Sequence, residues 1–260
     1  MSRILIKLGG TLLDSPASRD SLAAQIAGIP GEVVVVHGGG KQMTRYLTER
    51  GVESRFVNGL RVTTPETVDA LLKVFAGSVN HELVASLNRA GAAAVGLSGL
   101  DALLAEAEQM DPALGAVGRV IRSNPALLEV LTAHRYVPVV ACVAGDRQGN
   151  IYNVNADQMA VACAIAFAAT QLVFLTDVDG VRDASQQVRP VLNAAQSREL
   201  IAEGVATGGM QAKLEAALTA LAGGVAEVRI APGSAPNVLE RVLLGESLGT
   251  RMVLGEACAV

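Results

Sequence analysis

Short runs of β-branched and other apolar residues alternate along the chain with longer segments whose apolar residues have helical spacing. This alternation predicts an α/β fold in which mainly parallel strands are joined by right-handed helical crossovers that cover both faces of the sheet. The predicted strands span residues 4–8, 33–36, 94–97, 137–143, 172–176, 225–230 and 251–254. The predicted helices span residues 20–27, 42–50, 66–89, 125–134, 156–168, 198–203 and 211–221.

A turn-rich stretch interrupts this alternation at residues 145–150. It contains two glycines, an aspartate and an asparagine, and it precedes the short extended segment 151–154. Turn residues between two apolar runs predict a β-hairpin. Composition marks no domain boundary, although a division into two lobes near Gln171 is compatible with the pattern.

Composition and charge exclude several classes of protein. The chain has 260 residues, half of them apolar, and a net charge of -4 with both signs interspersed. A basic face of the kind that binds duplex nucleic acid is therefore not expected. The longest apolar run, residues 159–169, is about half of the ~20 residues that a membrane-spanning helix needs, so we expect a buried helix there. Because the first residues lack the pattern of a signal peptide, we expect a cytoplasmic location.

The three cysteines, Cys142, Cys163 and Cys258, are odd in number, far apart and never in a C-x-x-C pair. This spacing argues against a disulfide framework and against a zinc site. We expect free thiols in a reducing compartment.

A lysine lies inside the first apolar strand, directly before two glycines, in Lys7-Leu8-Gly9-Gly10. A buried ammonium group without a partner is strongly disfavoured, so Lys7 should face a carboxylate or an anionic ligand. The alternative is a lysine at a strand end with its charged group in water.

The second strand is followed by His37-Gly38-Gly39-Gly40 and then by a predicted helix. Glycine amides and the positive end of a helix together favour an anion such as phosphate. The alternative is an ordinary tight turn. Neither G-x-G-x-x-G nor a Walker-type motif is present, which argues against a Rossmann dehydrogenase and a Walker-type ATPase.

The Ala-rich helix is preceded by a polar run, residues 153–158. Helix capping explains much of it, because Asn155 is a good N-cap, Gln158 would complete a capping box and Asp157 suits the first turn. Capping does not explain Asn153.

Two further segments resemble ligand-binding loops. Gly208-Gly209 opens a helix that carries Lys213 one turn later, although Lys213 by itself would usually be a solvated lysine. Residues 175–181 leave a buried strand through two acids and a glycine, where open α/β sheets place their ligands. They do not form a calcium loop, because the other ligand positions of that motif are unfilled.

Taken in order, these motifs resemble those of the acetylglutamate kinases, a branch of the amino acid kinase family, over nearly the whole chain. The matching segments are Lys7-Leu8-Gly9-Gly10, His37-Gly38-Gly39-Gly40, residues 58–63, residues 153–157, residues 175–181, Gly209-Met210 with Lys213, and Gly249-Thr250-Arg251. The resemblance implies one domain of this family, a three-layer αβα sandwich with a mainly parallel central sheet. It further implies an N-terminal lobe, residues 1–170, for the amino-acid substrate and dimerisation, and a C-terminal lobe, residues 171–260, for ATP.

The resemblance also implies roles for individual residues. Lys7 and Lys213 would neutralise the transferring phosphoryl group, Asp157 would hold both ammonium groups, and the amide of Gly10 would contact the phosphoryl group. Gly39 and Gly40 would contact the phosphoryl group or the substrate, and Arg61 and Asn153 would bind the substrate's α-carboxylate and acetamido end. The residues implied to line the nucleotide site are Asp177, Val178, Asp179, Gly180, Val181, Arg182, Val205, Ala206 and Thr207.

The reaction that the resemblance implies is ATP-dependent phosphorylation of the side-chain carboxylate of N-acetyl-L-glutamate. The Mg²⁺ that accompanies ATP would be held mainly by the phosphates, without a dedicated protein site. A homodimer insensitive to arginine is expected, because the first predicted strand begins by about Arg3 and arginine-sensitive members of the family have an additional N-terminal helix.

Two alternatives remain open at this point. The acceptor could be aminoadipate or glutamate linked to a carrier protein, because Leu100 stands where acetylglutamate kinases often have lysine and its segment is similar to that of kinases with carrier-linked acceptors. Alternatively, the fold could serve as a non-catalytic binder of nucleotides or anions.

Overall fold

The computed structural model describes residues 2–255. Its strands are β1 (Arg3–Leu8), β2 (Glu32–His37), β3 (Phe56–Val57), β4 (Leu60–Arg61), β5 (Ala94–Ser98), β6 (Ala105–Gln109), β7 (Val117–Ser123), β8 (Val137–Ala141), β9 (Val143–Gly145), β10 (Ile151–Val154), β11 (Gln171–Thr176), β12 (Val191–Asn193), β13 (Glu227–Pro232) and β14 (Thr250–Val253). Its α-helices are α1 (Pro16–Ala27), α2 (Gly40–Thr48), α3 (Pro65–Leu71), α4 (Asn80–Arg89), α5 (Ala126–Ala133), α6 (Ala156–Ala166), α7 (Ala194–Ala202), α8 (Gly208–Ala222) and α9 (Val238–Leu243).

Eight strands form the central sheet in the order β12-β14-β13-β11-β1-β2-β8-β5. Neighbouring strands are parallel except β13 and β14, which confirms the prediction of an α/β fold with a mainly parallel sheet. Strands β1, β2 and β11 are continuous apolar runs that are almost completely buried, as expected for a sheet covered on both faces.

All seven predicted strands form, with shifts of a few residues at their ends. The predicted strand 137–143 divides at Cys142 into β8, in the central sheet, and β9, in a separate closed barrel of the strands β10, β7, β6 and β9. The predicted hairpin is confirmed, because β9 pairs with β10 in antiparallel fashion across the turn at 146–150. Strands β3, β4, β6, β7 and β12 were missed, because they are short or carry alternating charges rather than apolar runs.

The predicted helix 66–89 is not a single α-helix. It consists of α3, a π-helical segment at Leu72–Val79 and α4. A π-helical turn contains one more residue than an α-helical turn, so it rotates the following residues relative to those before it, and such segments often occur at functional sites. Helical periodicity in the sequence predicts neither its presence nor its position. The prediction also missed α9.

The carboxyl ends of three neighbouring strands meet at one edge of the central sheet. Leu8 of β1 is paired with His37 of β2 on one side and with Leu175 of β11 on the other. The glycines that follow β1 and β2 and the acidic segment that follows β11 therefore come together, at the edge where open α/β sheets bind ligands.

Two further expectations concern membrane segments and thiols. Within residues 2–255, no helix combines the length and the hydropathy needed to cross a bilayer. Cys142 and Cys163 are buried free thiols, and Cys258 lies outside the described residues.

Candidate active site

Two lysines from distant parts of the chain meet at one buried aspartate. Lys7 Nζ of β1 lies 2.6 Å from Asp157 Oδ1, and Lys213 Nζ of α8 lies 3.4 Å from Asp157 Oδ2. Lys7 and Asp157 are each only 7% exposed. Lys7 is thus not a strand-end lysine in water, and Lys213 is not an ordinary solvated helix lysine.

The electrostatics of this cluster favour a carboxylate with two ammonium groups. Burial by itself would raise the pKa of Asp157, but the charges of Lys7 and Lys213 outweigh it and lower that pKa below its usual value. The contact from Lys7 does not have regular hydrogen-bond geometry at Asp157 Oδ1. The cluster has two positive charges against one negative charge, so it can accept an anionic group.

The neighbouring Cys142 does not supply a nucleophile. Burial raises the pKa of its thiol to about 12, although the charge of Lys7 acts in the opposite direction. Because the thiolate is the reactive form, this thiol is inert at neutral pH.

The glycines after β1 and β2 lie in contact next to the cluster. A methyl group on Gly10 would lie 3.4 Å from the amide nitrogen of Gly40, and one on Gly38 would lie 3.4 Å from the Ala156 side chain at the start of α6. A methyl group on Gly39 would come within 2.8 Å of the Phe75 ring. Packing against Phe75 thus accounts for the glycine at 39. Gly10 and Gly40 form a glycine surface, and because a methyl group on Gly40 would meet no atom within 4 Å, a ligand can approach the backbone there closely.

A buried histidine and asparagine support this glycine surface. His37 Nε2 lies 3.0 Å from Asn80 Nδ2, which also donates to the Val139 carbonyl oxygen at 2.8 Å. Because Asn80 Nδ2 can only donate, His37 Nε2 must be the acceptor, and His37 Nδ1–H donates to the Gly38 carbonyl oxygen at 2.8 Å. Burial lowers the pKa of His37 to about 4, so the ring stays neutral and keeps this hydrogen bond at neutral pH.

The predicted cap at the start of α6 is confirmed in part. Asn155 Oδ1 accepts hydrogen bonds from the amides of Asp157 at 2.9 Å and Gln158 at 3.3 Å. The Gln158 side chain does not complete a capping box and instead lines a cleft. The cap places Asp157 in the first turn, facing Lys7 and Lys213.

A cleft of about 1070 Å³ opens beside the cluster. Asp157, Lys213, Gly208 and Gly209 line it, and methyl groups built on the two glycines would meet no other atom within 4 Å. Thr207 precedes α8 without forming a side-chain cap. An anion such as a phosphate fits this helix start, because the amides of Gly208 and Gly209 have no hydrogen-bond partner within residues 2–255 and the helix dipole is positive there.

Arg61 lies on a neighbouring cleft of about 740 Å³ that Gly10 and Gly40 also line. Its Nη2 donates to the Gly40 carbonyl oxygen at 3.2 Å and to Thr44 Oγ1 at 2.7 Å, and its guanidinium lies 4.6 Å from the centre of the Phe56 ring. Burial lowers the pKa of Arg61, and within residues 2–255 no carboxylate forms an ion pair with it. A buried guanidinium with only neutral partners suits a substrate carboxylate.

Asn153 is linked to Arg61 by a buried threonine. Asn153 Nδ2 donates to Thr63 Oγ1 at 3.1 Å, and Thr63 Oγ1 lies 2.8 Å from the Arg61 carbonyl oxygen. The structure thus joins the two residues predicted to bind the substrate, through a residue to which the sequence analysis gave no role. Asn153 lines neither of the two clefts.

The residues predicted to line a nucleotide site follow β11 and precede α8. Val181 and Ala206 are buried, so neither residue presents a surface to a ligand in this structure. Val181 is held by a hydrogen bond from its amide to Thr250 Oγ1 at 2.8 Å, and Arg182 pairs with Asp179 at 3.2 Å. None of the residues at 177–182 and 205–207 lines the cleft beside Lys213.

Leu100, which raised the alternative of a carrier-linked acceptor, packs into the protein. Its side chain abuts Gly145 in the barrel, where a methyl group would come within 2.5 Å of Leu100 Cδ2, and it lines neither cleft. As for metals, no three His, Cys, Asp or Glu side chains of the described chain converge on one point.

Comparisons with known proteins identify the relatives of this chain. Residues 2–232 match the profile of the amino acid kinase family. The chain is 75% identical to the acetylglutamate kinase of Solibacter usitatus strain Ellin6076, covering 96% of this chain and 99% of that protein. It is 45% identical to the acetylglutamate kinase of Acidobacterium capsulatum, covering 91% and 93%.

Solved structures show the same fold. The Streptococcus mutans UA159 protein smu.665 superposes with a TM-score of 0.80 at 29% identity, covering 97% of this chain and 99% of that one. The N-acetylglutamate synthase of Neisseria gonorrhoeae, solved with coenzyme A and N-acetyl-glutamate, gives 0.87 at 24% identity. This chain covers 60% of the synthase, and 98% of this chain is matched.

Proposed function

The chain belongs to the amino acid kinase family, and on this premise we propose that Lys7, Asp157 and Lys213 form its phosphoryl-transfer centre. The reaction is the transfer of the γ-phosphoryl group of ATP to the side-chain carboxylate of N-acetyl-L-glutamate, a step of arginine biosynthesis. The observation that carries the proposal for the site is the convergence of both lysines on one buried aspartate, next to the glycine amides.

The chemistry requires charge stabilisation rather than a general base. A glutamate-type side chain has an unperturbed pKa of about 4.3, so the nucleophile is already ionised at neutral pH. One carboxylate oxygen forms a bond to the γ-phosphorus of ATP while the bond from that phosphorus to the β–γ bridging oxygen breaks. The products are ADP and an acyl phosphate, and no proton is transferred. The enzyme must therefore hold two anions in line and stabilise a metaphosphate-like transition state.

Each part of the cluster can supply one of these requirements. Lys7 and Lys213 would neutralise the negative charge of the phosphoryl oxygens. Asp157 would hold the two ammonium groups in position to do so. Amides of Gly10, Gly39 and Gly40 would donate to the phosphoryl group or the substrate. Arg61 would bind the α-carboxylate, because it is the buried cation that lacks a carboxylate partner within residues 2–255. Asn153 would bind the acetamido group.

ATP would enter from the side of the uncapped α8 and the acidic segment after β11. The open space at Gly208 and Gly209 and the exposed Asp177 and Asp179 support this direction. In this arrangement residues 1–170 hold the amino-acid substrate and residues 171–260 hold ATP, and the contact of Lys213 with Asp157 joins the two parts. Mg²⁺ would be held mainly by the phosphates and would offset their charge, because the site has lysines where a metal cage would need carboxylates.

A panel of carboxylate acceptors tests this function. With ATP, Mg²⁺ and hydroxylamine, which traps acyl phosphates as hydroxamates, we expect product from N-acetyl-L-glutamate and little from N-acetyl-L-aspartate or from aminoadipate linked to an acidic carrier protein. Product from the carrier-linked acceptor alone would establish the alternative substrate. A protein that binds ATP and forms no hydroxamate with any acceptor would be a non-catalytic binder.

We also propose that the protein is a homodimer and that it acts in the cytoplasm, where its buried thiols would remain reduced. Strand β5 is at one edge of the central sheet, and in its vicinity Val130 of α5 and Tyr136, before β8, are 59% and 43% exposed. Exposed apolar side chains near an unpaired strand edge are candidate contacts with a second copy of the chain. Light scattering after size exclusion should give twice the chain mass of 26.7 kDa, and Tyr136→Glu should shift it towards the monomer. A monomeric mass for the unmodified protein would refute the dimer.

A further inference from the structure

Thr63 lies between the two residues that are proposed to bind the substrate, and it is completely buried. Its Oγ1 is 2.8 Å from the Arg61 carbonyl oxygen and 3.1 Å from Asn153 Nδ2. Neither the reaction chemistry nor the glycine and lysine motifs require a hydroxyl group at this position.

The direction of these two hydrogen bonds follows from the donors available. A carbonyl oxygen can only accept, so the single hydroxyl proton of Thr63 is committed to Arg61. The lone pairs of Thr63 Oγ1 then face Asn153, and only the NH₂ end of that amide can donate to them. Thr63 therefore fixes which way the Asn153 amide points, an orientation that distances alone do not define. Asn153 Oδ1 is left as an acceptor for a ligand.

The backbone around Thr63 holds this arrangement in register. The Thr63 amide donates to the Leu114 carbonyl oxygen at 2.9 Å, and the Ala116 amide donates to the Thr63 carbonyl oxygen at 2.7 Å. The Asn153 amide in turn donates to the Ala116 carbonyl oxygen at 2.8 Å. Only a glycine at 115 lets the backbone of residues 114–116 lie this close to Thr63. The φ of Gly115 is +67°, and a methyl group there would come within 2.3 Å of the Thr63 carbonyl oxygen.

We propose that Thr63 is a positioning residue for acceptor specificity, which turns Asn153 Oδ1 towards the acetamido N–H of the substrate while Arg61 holds the α-carboxylate. This inference rests on the proposed function, because it assumes that Arg61 and Asn153 bind N-acetyl-L-glutamate. In this proposal, the enzyme prefers a substrate with an N–H group at the α-carbon because Thr63 fixes the orientation of the Asn153 amide. Without the Thr63 hydroxyl, the Asn153 amide can rotate and present Nδ2 instead.

The matched acceptor for a test is 2-acetoxyglutarate, in which an ester oxygen replaces the N–H of N-acetyl-L-glutamate. A site that accepts from that N–H should prefer the amide by on the order of 100-fold in kcat/KM, because the ester leaves Asn153 Oδ1 without a donor. In Thr63→Val, which has nearly the same shape without the hydroxyl group, we expect this ratio to fall about tenfold and the KM for N-acetyl-L-glutamate to rise about tenfold. The KM for ATP should stay unchanged. Thr63→Ser keeps the hydroxyl group and should keep the ratio.

Each result of this experiment decides between positioning and a structural role. An unchanged amide-to-ester ratio in folded Thr63→Val would overturn the proposal, as would an equal loss with both acceptors together with a raised KM for ATP. Thr63→Ala provides the same comparison if the valine variant does not fold. The unmodified enzyme distinguishes a failure of the proposed function from a failure of the proposed role of Thr63. Inactivity of the unmodified enzyme with N-acetyl-L-glutamate would refute the function itself.

Discussion

Replacing Lys213 with alanine should reduce kcat by about 100-fold or more while the protein stays folded. A charge that stabilises the transferring phosphoryl group contributes a few kcal/mol to the transition state, and ~2.7 kcal/mol corresponds to this factor. Asp157 keeps Lys7 at 2.6 Å after the change, so its carboxylate is not left unpaired. The KM for ATP should change much less than kcat, because the lysine acts on charge that develops in the transition state.

Steady-state kinetics and thermal unfolding of Lys213→Ala, measured side by side, test this result. A suitable control is Lys73→Ala, which removes a lysine that pairs with Asp69 on the surface of the molecule. That variant should keep normal turnover. If Lys213→Ala also kept near-normal turnover, Lys213 would not have its assigned role.

Asp157→Asn should reduce kcat by at least as much and should also destabilise the fold. The asparagine keeps the shape of the side chain but removes the charge between two ammonium groups, which lie 2.6 and 3.4 Å from its oxygens. Removing one partner of a buried ion pair typically costs about 3–5 kcal/mol, because the remaining charges are then uncompensated. Unlike Lys213→Ala, this variant should therefore unfold at a distinctly lower temperature.

Urea unfolding and kcat of Asp157→Asn separate these two effects, and Asp69→Asn serves as the control at an exposed ion pair. We expect the control to change both quantities little, since exposed pairs contribute about 0–1 kcal/mol. Full turnover in Asp157→Asn would show that the aspartate does not organise the lysines. In that case the cluster would be a structural ion pair rather than a catalytic centre.

The fold could be predicted from the sequence wherever one physical requirement dominated. Fully buried parallel strands need continuous apolar runs, and these runs located β1, β2 and β11. Lys7 was identified because a cation inside such a run requires an anionic partner, and Asp157 supplies it at 2.6 Å. Capping chemistry placed Asn155 at the start of α6, although its reciprocal bond with Gln158 does not form.

What could not be predicted depends on contacts between residues far apart in the chain. Asn80 forms a hydrogen bond with His37, which lies 43 positions earlier in the chain. The helical periodicity of the sequence does not predict that Asn80 directly follows a π-helical segment. Thr63 and Asn153 are separated by 90 positions, so their bond could not be inferred from spacing. The local pattern around Lys213 is that of a solvated lysine, so its contact with Asp157 was implied only by the family resemblance; the packing of α8 against α6 brings the two residues together.

The most direct test of the central claim follows the oxygen atoms of the substrate. N-acetyl-L-glutamate with ¹⁸O in both oxygens of its side-chain carboxylate is incubated with the enzyme, ATP and hydroxylamine, and the products are analysed by mass spectrometry. We expect the side-chain hydroxamate to keep one ¹⁸O and each phosphate released in the trapping step to carry the other. Phosphate without ¹⁸O, or no hydroxamate at the side-chain carboxyl group, would contradict phosphoryl transfer to that carboxylate.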